Sequence, residues 1–161
     1  MDPLSRLCTS CGLCCDGNLF TQVPLLADEV ALLRRRGLPL LARGDRLPVV
    51  EQRCAALAGS CCTIYDERPQ GCRGYRCMLH AALAADEVGL EEALAVVVQT
   101  QALLGALADA LPPGHGAPLR RARVEARAGT LTASASAAVG AAARQIGRHF
   151  DREAGRVATT G

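Results

Sequence analysis

The chain has no tryptophan, no lysine and only four aromatic side chains among its 161 residues. Its hydrophobic core must therefore be packed mainly by alanine, leucine and valine, whose small side chains each bury little area. At about 25 cal/mol per Å² of buried apolar surface, the stabilisation per residue is modest. All 18 basic residues are arginine, which together with the abundant alanine indicates a GC-rich genome rather than a function. A chain of this length usually forms one domain, so we expect one core, with another source of stability in the N-terminal half.

The start of the chain lacks the basic residues and the following apolar stretch of a signal peptide. The chain also has no uninterrupted run of 18 apolar residues. A signal peptide needs an apolar stretch of about 7 to 15 residues. The longest apolar stretch, residues 94–111, is interrupted by Gln99, Gln101, Gly105 and Asp109, so it is expected to be a soluble helix rather than a membrane span. We therefore expect a cytoplasmic protein that has no membrane partner.

The two halves of the chain differ in charge. Up to Leu111 there are ten arginines against thirteen acidic residues, a net charge of −3, and from Pro112 onward eight arginines against three acidic residues, a net charge of +5. The basic half has no interleaved aromatic side chains, which favours solvated helix faces over a nucleic-acid surface. Nucleic acid is therefore not an expected partner, and an unknown protein partner stays open.

Apolar residues recur at helical spacing over much of the chain, and proline and glycine separate the segments. We predict a mainly α fold with a small, irregular, cysteine-rich, metal-binding N-terminal half that carries one or two short strands, within residues 18–25 and around Val49 and Val50. Residues 8–77 should form the metal-binding region and residues 78–155 a helical region packed on it, within one domain. The predicted helices are residues 27–37, 78–87, 90–111, 119–128 and 132–153.

Nine cysteines lie in two short segments, residues 8–15 and residues 54–77. A cytoplasmic compartment keeps thiols reduced, and an odd count fits disulfides poorly, so the clustering predicts metal binding. Four cysteines of the first segment and four of the second are the predicted ligands. They are Cys8, Cys11, Cys14, Cys15, Cys54, Cys62, Cys72 and Cys77.

The spacing of the first segment suits either zinc or iron. Two cysteines separated by two residues can reach one Zn²⁺ from a tight turn, and the same C-x2-C-x2-C run supplies three of the four ligands of a bacterial-type [4Fe–4S] cluster. If the run is instead helical, Cys8, Cys11 and Cys15 share one side, with Cys14 on the flank. The adjacent Cys14 and Cys15 seldom bind the same ion, which leaves two sites, or one site and a further thiol, as alternatives.

The run CTSCGLCC at 8–15 and the segment CAALAGSCCTIYDERPQGCRGYRC at 54–77 resemble the CxxCxxCC family of zinc- or iron-chelating proteins, also called YkgJ-type cysteine cluster proteins. Members share a CxxCGxCC start and a later C-x-I-Y-x-x-R-P-x-x-C-R-x-Y-x-C segment. The resemblance spans residues 8–77, under half of the chain, and implies a metal site without naming a cellular role. Cys61 lies outside the pattern. The matched positions are Cys8, Cys11, Gly12, Cys14, Cys15, Cys54, Cys62, Ile64, Tyr65, Arg68, Pro69, Cys72, Arg73, Tyr75 and Cys77.

Residues around the cysteines suggest supporting roles. Four thiolates leave a Zn²⁺ site at about −2, and the guanidinium groups of Arg68 and Arg73 can donate hydrogen bonds to sulfur. Pro69 pre-sets a turn before Cys72. His80 follows Cys77 by three residues and is close enough to join a site, although a single histidine beside eight thiols is more often a packing or surface residue.

Three classes of function are consistent with these features. The first is a metal-binding protein in which zinc or iron, including a [4Fe–4S] cluster, folds the N-terminal half. The second is a redox or metal-delivery factor with one labile site, in which Cys14, Cys15 or Cys61 takes part in transfer. An enzyme is the third and least favoured, because the chain has no phosphate-binding loop, no Ser-His-Asp set and no convincing pair of carboxylates. We assign no residue a catalytic role.

Overall fold

The computed structural model describes residues 1–151, and within that range α-helices account for most of the regular structure. The mainly α fold predicted from the sequence is confirmed, and every predicted helix is present. A 3₁₀ turn, Tyr65–Glu67, lies between the strands and α3. The helices are α1 (Pro3–Cys11), α2 (Ala27–Arg35), α3 (Gln70–Arg73), α4 (Met78–Ala84), α5 (Leu90–Ala110), α6 (Pro118–Ala128) and α7 (Ala133–His149). The strands are β1 (Gln22–Pro24), β2 (Leu41–Arg43), β3 (Arg46–Glu51), β4 (Leu57–Ala58) and β5 (Cys61–Cys62).

The described residues hold five strands, where the sequence predicts one or two. The central strand β3 pairs antiparallel with β1 on one side and with β2 on the other, and β4 pairs with β5 as a small hairpin. The unpredicted strands β2, β4 and β5 are only two or three residues long. Segments this short cannot display an alternation of apolar and polar residues. They are strands because they hydrogen-bond to a neighbouring strand.

The buried apolar residues form two separate clusters. The helical core contains fifteen buried residues from the N-terminal segment and the later helices, including Leu7, Leu13 and Leu107. The sheet core contains only eight, including Val23 and Leu33. Leu7 and Leu13 thus attach the N-terminal segment to the helices, whereas the small sheet core gives residues 22–56 comparatively little apolar stabilisation.

The last helix ends at His149, earlier than the predicted residue 153. The chain leaves the helix so that Phe150, which is 1% exposed, fills the helical core. The carbonyl of Asp151 then accepts a hydrogen bond from the Met78 N–H at 3.1 Å, which ties this end to the start of α4. Residues 152–161, which include the end of the predicted helix and the end of the region 78–155, lie outside the described residues.

Helix α5 is the longest helix of the described range and contacts α1, α6 and α7. One of its faces, which carries Val97, Leu104 and Leu107, is buried in the helical core. By length and mean hydropathy, 1.5, the helix would also suit a membrane span. This is a weak indication, because core helices of soluble proteins share both properties.

Candidate metal centre

Helix α1 carries the first two cysteines and ends before the other two. The helix begins at Pro3, where the Asp2 carboxylate accepts the Ser5 N–H at 3.0 Å, and it ends at Cys11. Gly12 follows with φ at +69°, a left-handed conformation that favours glycine. Cys8 and Cys11 therefore lie on a helix, while Cys14 and Cys15 lie in the following turn.

The sequence leaves open whether residues 8–15 form a tight turn or a helix. The structure has a helix for the first two cysteines and a turn for the other two. The fully helical alternative, in which Cys15 shares a side with Cys8 and Cys11, is wrong because the helix stops at Gly12. The side chain of Gln101 on α5 fixes this helix end, since its Nε2 donates to the Cys11 carbonyl at 3.0 Å. The turn that follows is therefore anchored to the helical core.

Gly12 also packs against the β4–β5 hairpin, which permits a matched test. A Cβ at Gly12 would lie 2.9 Å from the Ser60 carbonyl oxygen, whereas Gly59, with φ at +60°, has open space around it. Both alanine variants strain the backbone by about 1 kcal/mol, and only Gly12→Ala adds a clash with backbone, for a total of about 3 kcal/mol. Urea unfolding of the metal-loaded variants measures the difference. Equal losses would mean that the hairpin does not hold the cysteine turn.

Seven of the eight predicted ligands, all except Cys54, line one cavity of about 300 Å³. Cys54 is buried beside it, and its N–H donates to the Cys15 carbonyl at 2.8 Å. The ninth cysteine, Cys61, is exposed and does not line the cavity. The fold thus brings the two cysteine segments together around one space.

Four of the thiols lie on the side of the helices and form what we call the helix-side group. Cys11 and Cys77 pack directly against the helical core. Burial raises the pKa of Cys11 to about 12, and the neighbouring thiols of Cys77 and Cys8 add to the rise. Burial also raises the pKa of Cys14, and the thiols of Cys11, Cys77, Cys15 and Cys8 add to the rise in that order. The helix-side group is Cys8, Cys11, Cys14 and Cys77.

The other four thiols, the sheet-side group, pack in or against the sheet core. Burial raises the pKa of Cys15 to about 12, and Cys62, Cys72 and Cys54 are its nearest thiol influences. Burial likewise raises the pKa of Cys72 to about 12, with contributions from Cys54 and Cys62. Cys15 packs against the sheet core and Cys14 does not, which places these two chain neighbours in different groups. The sheet-side group is Cys15, Cys54, Cys62 and Cys72.

The donor chemistry of both groups fits a soft metal. Among residues 1–151, no three His, Cys, Asp or Glu side chains are already arranged as a formed metal site. Each group nevertheless offers four thiols, the complete ligand set of a structural zinc site or of an iron–sulfur cluster. The raised pKa values keep most of these thiols protonated near neutral pH, so metal binding must release protons. Once bound, the metal would supply the positive charge that stabilises the thiolates.

Arg68 is the basic residue with the best-defined position at the cavity. Its guanidinium carbon lies 3.4 Å from the centre of the Tyr65 ring, and its Nε donates to the Tyr65 carbonyl at 2.7 Å. The charge of Arg68 lowers the pKa of Cys8 in one group and of Cys72 in the other, against the larger effect of burial. Arg73 also lines the cavity but is exposed. Of the two predicted arginines, Arg68 is thus the better placed to compensate thiolate charge.

We expect Arg68→Gln to lower metal affinity about tenfold, which is typical for loss of a residue that supports metal ligands. Arg73→Gln is the matched control, because it removes an equal charge from an exposed position and should change affinity less than about twofold. Competition with a chromophoric chelator measures both. A loss as large in the control would show that overall charge, rather than the placement of Arg68, decides affinity.

His80, which the sequence suggests as a further ligand, lies beside Cys77 of the helix-side group. Its backbone N–H donates to the Cys77 sulfur at 3.4 Å, and its side chain lines the cavity. Its Nδ1 is buried and has no hydrogen-bond partner among the described residues. His80 therefore lies at the site and donates a backbone hydrogen bond to it, and each group has four thiols without its side chain.

Two supporting residues were not predicted from the sequence. Glu29 is 9% exposed, and its carboxylate accepts the Leu26 N–H at 2.9 Å and the Gln70 N–H at 2.5 Å. It thereby fixes α2 against the helix that carries Cys72. A glutamate in the first turn of a helix is a capping signal, but nothing in the sequence indicates its partner 41 residues away. Arg76 also lines the cavity and lowers the pKa of Cys8.

Comparison with known proteins identifies a family for this chain. A model of the CxxCxxCC family, described as "Putative zinc- or iron-chelating domain", matches residues 7–94. The match covers more than half of the chain and continues past Cys77 through α4 into the start of α5. No curated protein and no solved structure matches the chain.

Proposed function

Because the chain belongs to the CxxCxxCC family of zinc- or iron-chelating domains, we propose that it is a cytoplasmic metal-binding protein that holds zinc or iron through its eight clustered cysteines. The metal serves first to fold the cysteine-rich half. It replaces the apolar contacts that the small sheet core lacks, since structural metal sites contribute folding free energy directly.

One observation carries this proposal, namely that thiols from two distant segments line the same cavity. Cys15 and Cys62 are separated by more than forty residues in the chain, yet both line it. Half-buried thiols with raised pKa values are poor nucleophiles, and a cavity so rich in them is best suited to a soft metal. A reducing compartment such as the cytoplasm would keep these thiols available as metal ligands.

Metal analysis of protein purified without oxygen tests the proposal. We expect stoichiometric zinc or iron, and a brown protein with visible absorption would identify an iron–sulfur cluster. The lack of tryptophan makes the ultraviolet band weak, so a cluster would be conspicuous. The proposal fails if the protein contains neither metal and takes up neither when it is supplied.

A second candidate is a redox or metal-delivery factor. It is favoured by the exposure of the ligands, since seven of the eight are half-buried and only Cys54 is buried. Partial exposure permits an incoming thiol to attack the metal. Transfer of the metal to an acceptor chelator within minutes, without unfolding, would support this function, whereas release only on denaturation would support a structural role.

A further inference from the structure

The structure assigns the eight thiols to two separate metal centres, one held by the helix-side group and the other by the sheet-side group, and we propose that the two centres load cooperatively. This inference rests on the proposed metal-binding function and specifies its sites. Each centre would take one soft divalent cation such as Zn²⁺ with four thiolate ligands.

The packing contacts of the cysteines separate the helix-side group from the sheet-side group, independently of the pKa values. Cys11 and Cys77 contact the helical core, whereas Cys15, Cys62 and Cys72 contact the sheet core. The two clusters are separate, so a thiol packed against one of them is held on that side of the shared cavity. A single centre would have to draw ligands from both clusters and would leave four thiols unused.

The turn at Cys14 and Cys15 is the point where the chain passes from one group to the other. Cys15 is held by two backbone bonds of 2.8 Å, which its N–H donates to Gly12 and its carbonyl accepts from Cys54. The position of Cys15 is thus set by the end of α1 and by the segment that precedes the β4–β5 hairpin. Side chains of adjacent residues usually diverge, which gives Cys14 to the helix-side group and Cys15 to the sheet-side group.

A second chain segment, from Cys72 to Cys77, also passes from one thiol group to the other. Cys72 on α3 belongs to the sheet-side group, and Cys77, five residues later at the start of α4, belongs to the helix-side group. Each centre therefore shares two short chain segments with the other. When an ion orders one group, it also fixes the backbone that presents Cys14 and Cys15, or Cys72 and Cys77. The second ion then binds to ligands that have already lost part of their conformational freedom.

Titration of metal-free protein with Zn²⁺ under anaerobic conditions, followed by native mass spectrometry, tests both parts. We expect two ions at saturation and a second-ion affinity about tenfold above independent binding, within the usual range of coupling between sites. At one equivalent of zinc, the one-ion species should then be about a quarter of the protein, against about half for independent equal sites.

Variants identify the groups. Cys11→Ser should abolish the helix-side centre and Cys72→Ser the sheet-side centre, so each variant should saturate at one ion. With Co²⁺ as the probe, the remaining centre should keep the charge-transfer intensity per ion of a four-thiolate site. Cys61→Ser is the matched control and should keep two ions. Two glycines inserted between Cys14 and Cys15 should keep two ions but raise the one-ion species from a quarter toward half, because only the segment from Cys72 to Cys77 then still links the centres.

The outcomes separate the inference from the function on which it rests. Wild-type protein that saturates at one Zn²⁺ overturns the two centres but leaves the metal-binding function intact. Two ions with a one-ion species of half or more overturn the cooperative loading alone. No zinc or iron bound at all overturns the proposed function itself.

Discussion

Removal of the metal should disorder residues 54–77 while α5, α6 and α7 remain folded. The sheet core has eight buried residues against fifteen in the helical core, so the sheet side depends far more on a cross-link. Structural zinc can contribute about 10 kcal/mol or more of folding free energy in small sites. We expect amide exchange across residues 54–77 to accelerate at least about a hundredfold, because local opening there no longer breaks metal bonds.

Hydrogen exchange with mass analysis, before and after verified chelation, measures this effect. The amides of α5 and α7 serve as the internal control, since the helical core covers those helices in either state. Restoring zinc should restore protection in residues 54–77. Unchanged exchange across that segment in metal-free protein would mean that apolar packing and hydrogen bonds alone maintain the cysteine-rich half.

Cys62→Ser should lose bound metal, and the adjacent Cys61→Ser should keep full stoichiometry. The two residues form strand β5, in which successive side chains point to opposite faces. Cys62 lines the cavity and packs against the sheet core, whereas Cys61 is exposed. Serine at 62 leaves an incomplete ligand set, so the sheet-side centre should be lost and the metal-to-protein ratio should fall to about half.

The measurement is the metal-to-protein ratio of each serine variant, purified anaerobically. Cys61→Ser is matched to Cys62→Ser in chemistry, in chain position and in strand, so a general effect of the substitution on folding should appear in both. Equal metal loss in the two variants would make Cys61 a ligand. One of the eight predicted cysteines, most plainly the buried Cys54 that does not line the cavity, would then be the spare thiol.

Much of the fold could be predicted because its signals are local. The five predicted helices follow from apolar spacing bounded by proline and glycine, and each lies within a few residues of its predicted limits except α7. Helix α3 was not predicted, and a helix in the first cysteine segment, where α1 lies, was only one of two alternatives. Helix α7 ends at His149 because Phe150 is drawn into the helical core, which is a tertiary effect. The strands β2, β4 and β5 are too short to show a periodic pattern in the sequence. They form only because they pair with another strand.

The sequence by itself determined the chemistry of this protein. Nine thiols in two segments, with few aromatic residues to build a core, indicate a soft metal, and the motif identifies the family. Only the tertiary structure decided how those thiols are divided. Helix α1 stops at Gly12, and Cys15, whose carbonyl accepts the Cys54 N–H, packs against the sheet core, whereas Cys11 packs against the helical core. Spacing along a chain limits which ligands lie near one another, but their grouping depends on which core each backbone segment packs against.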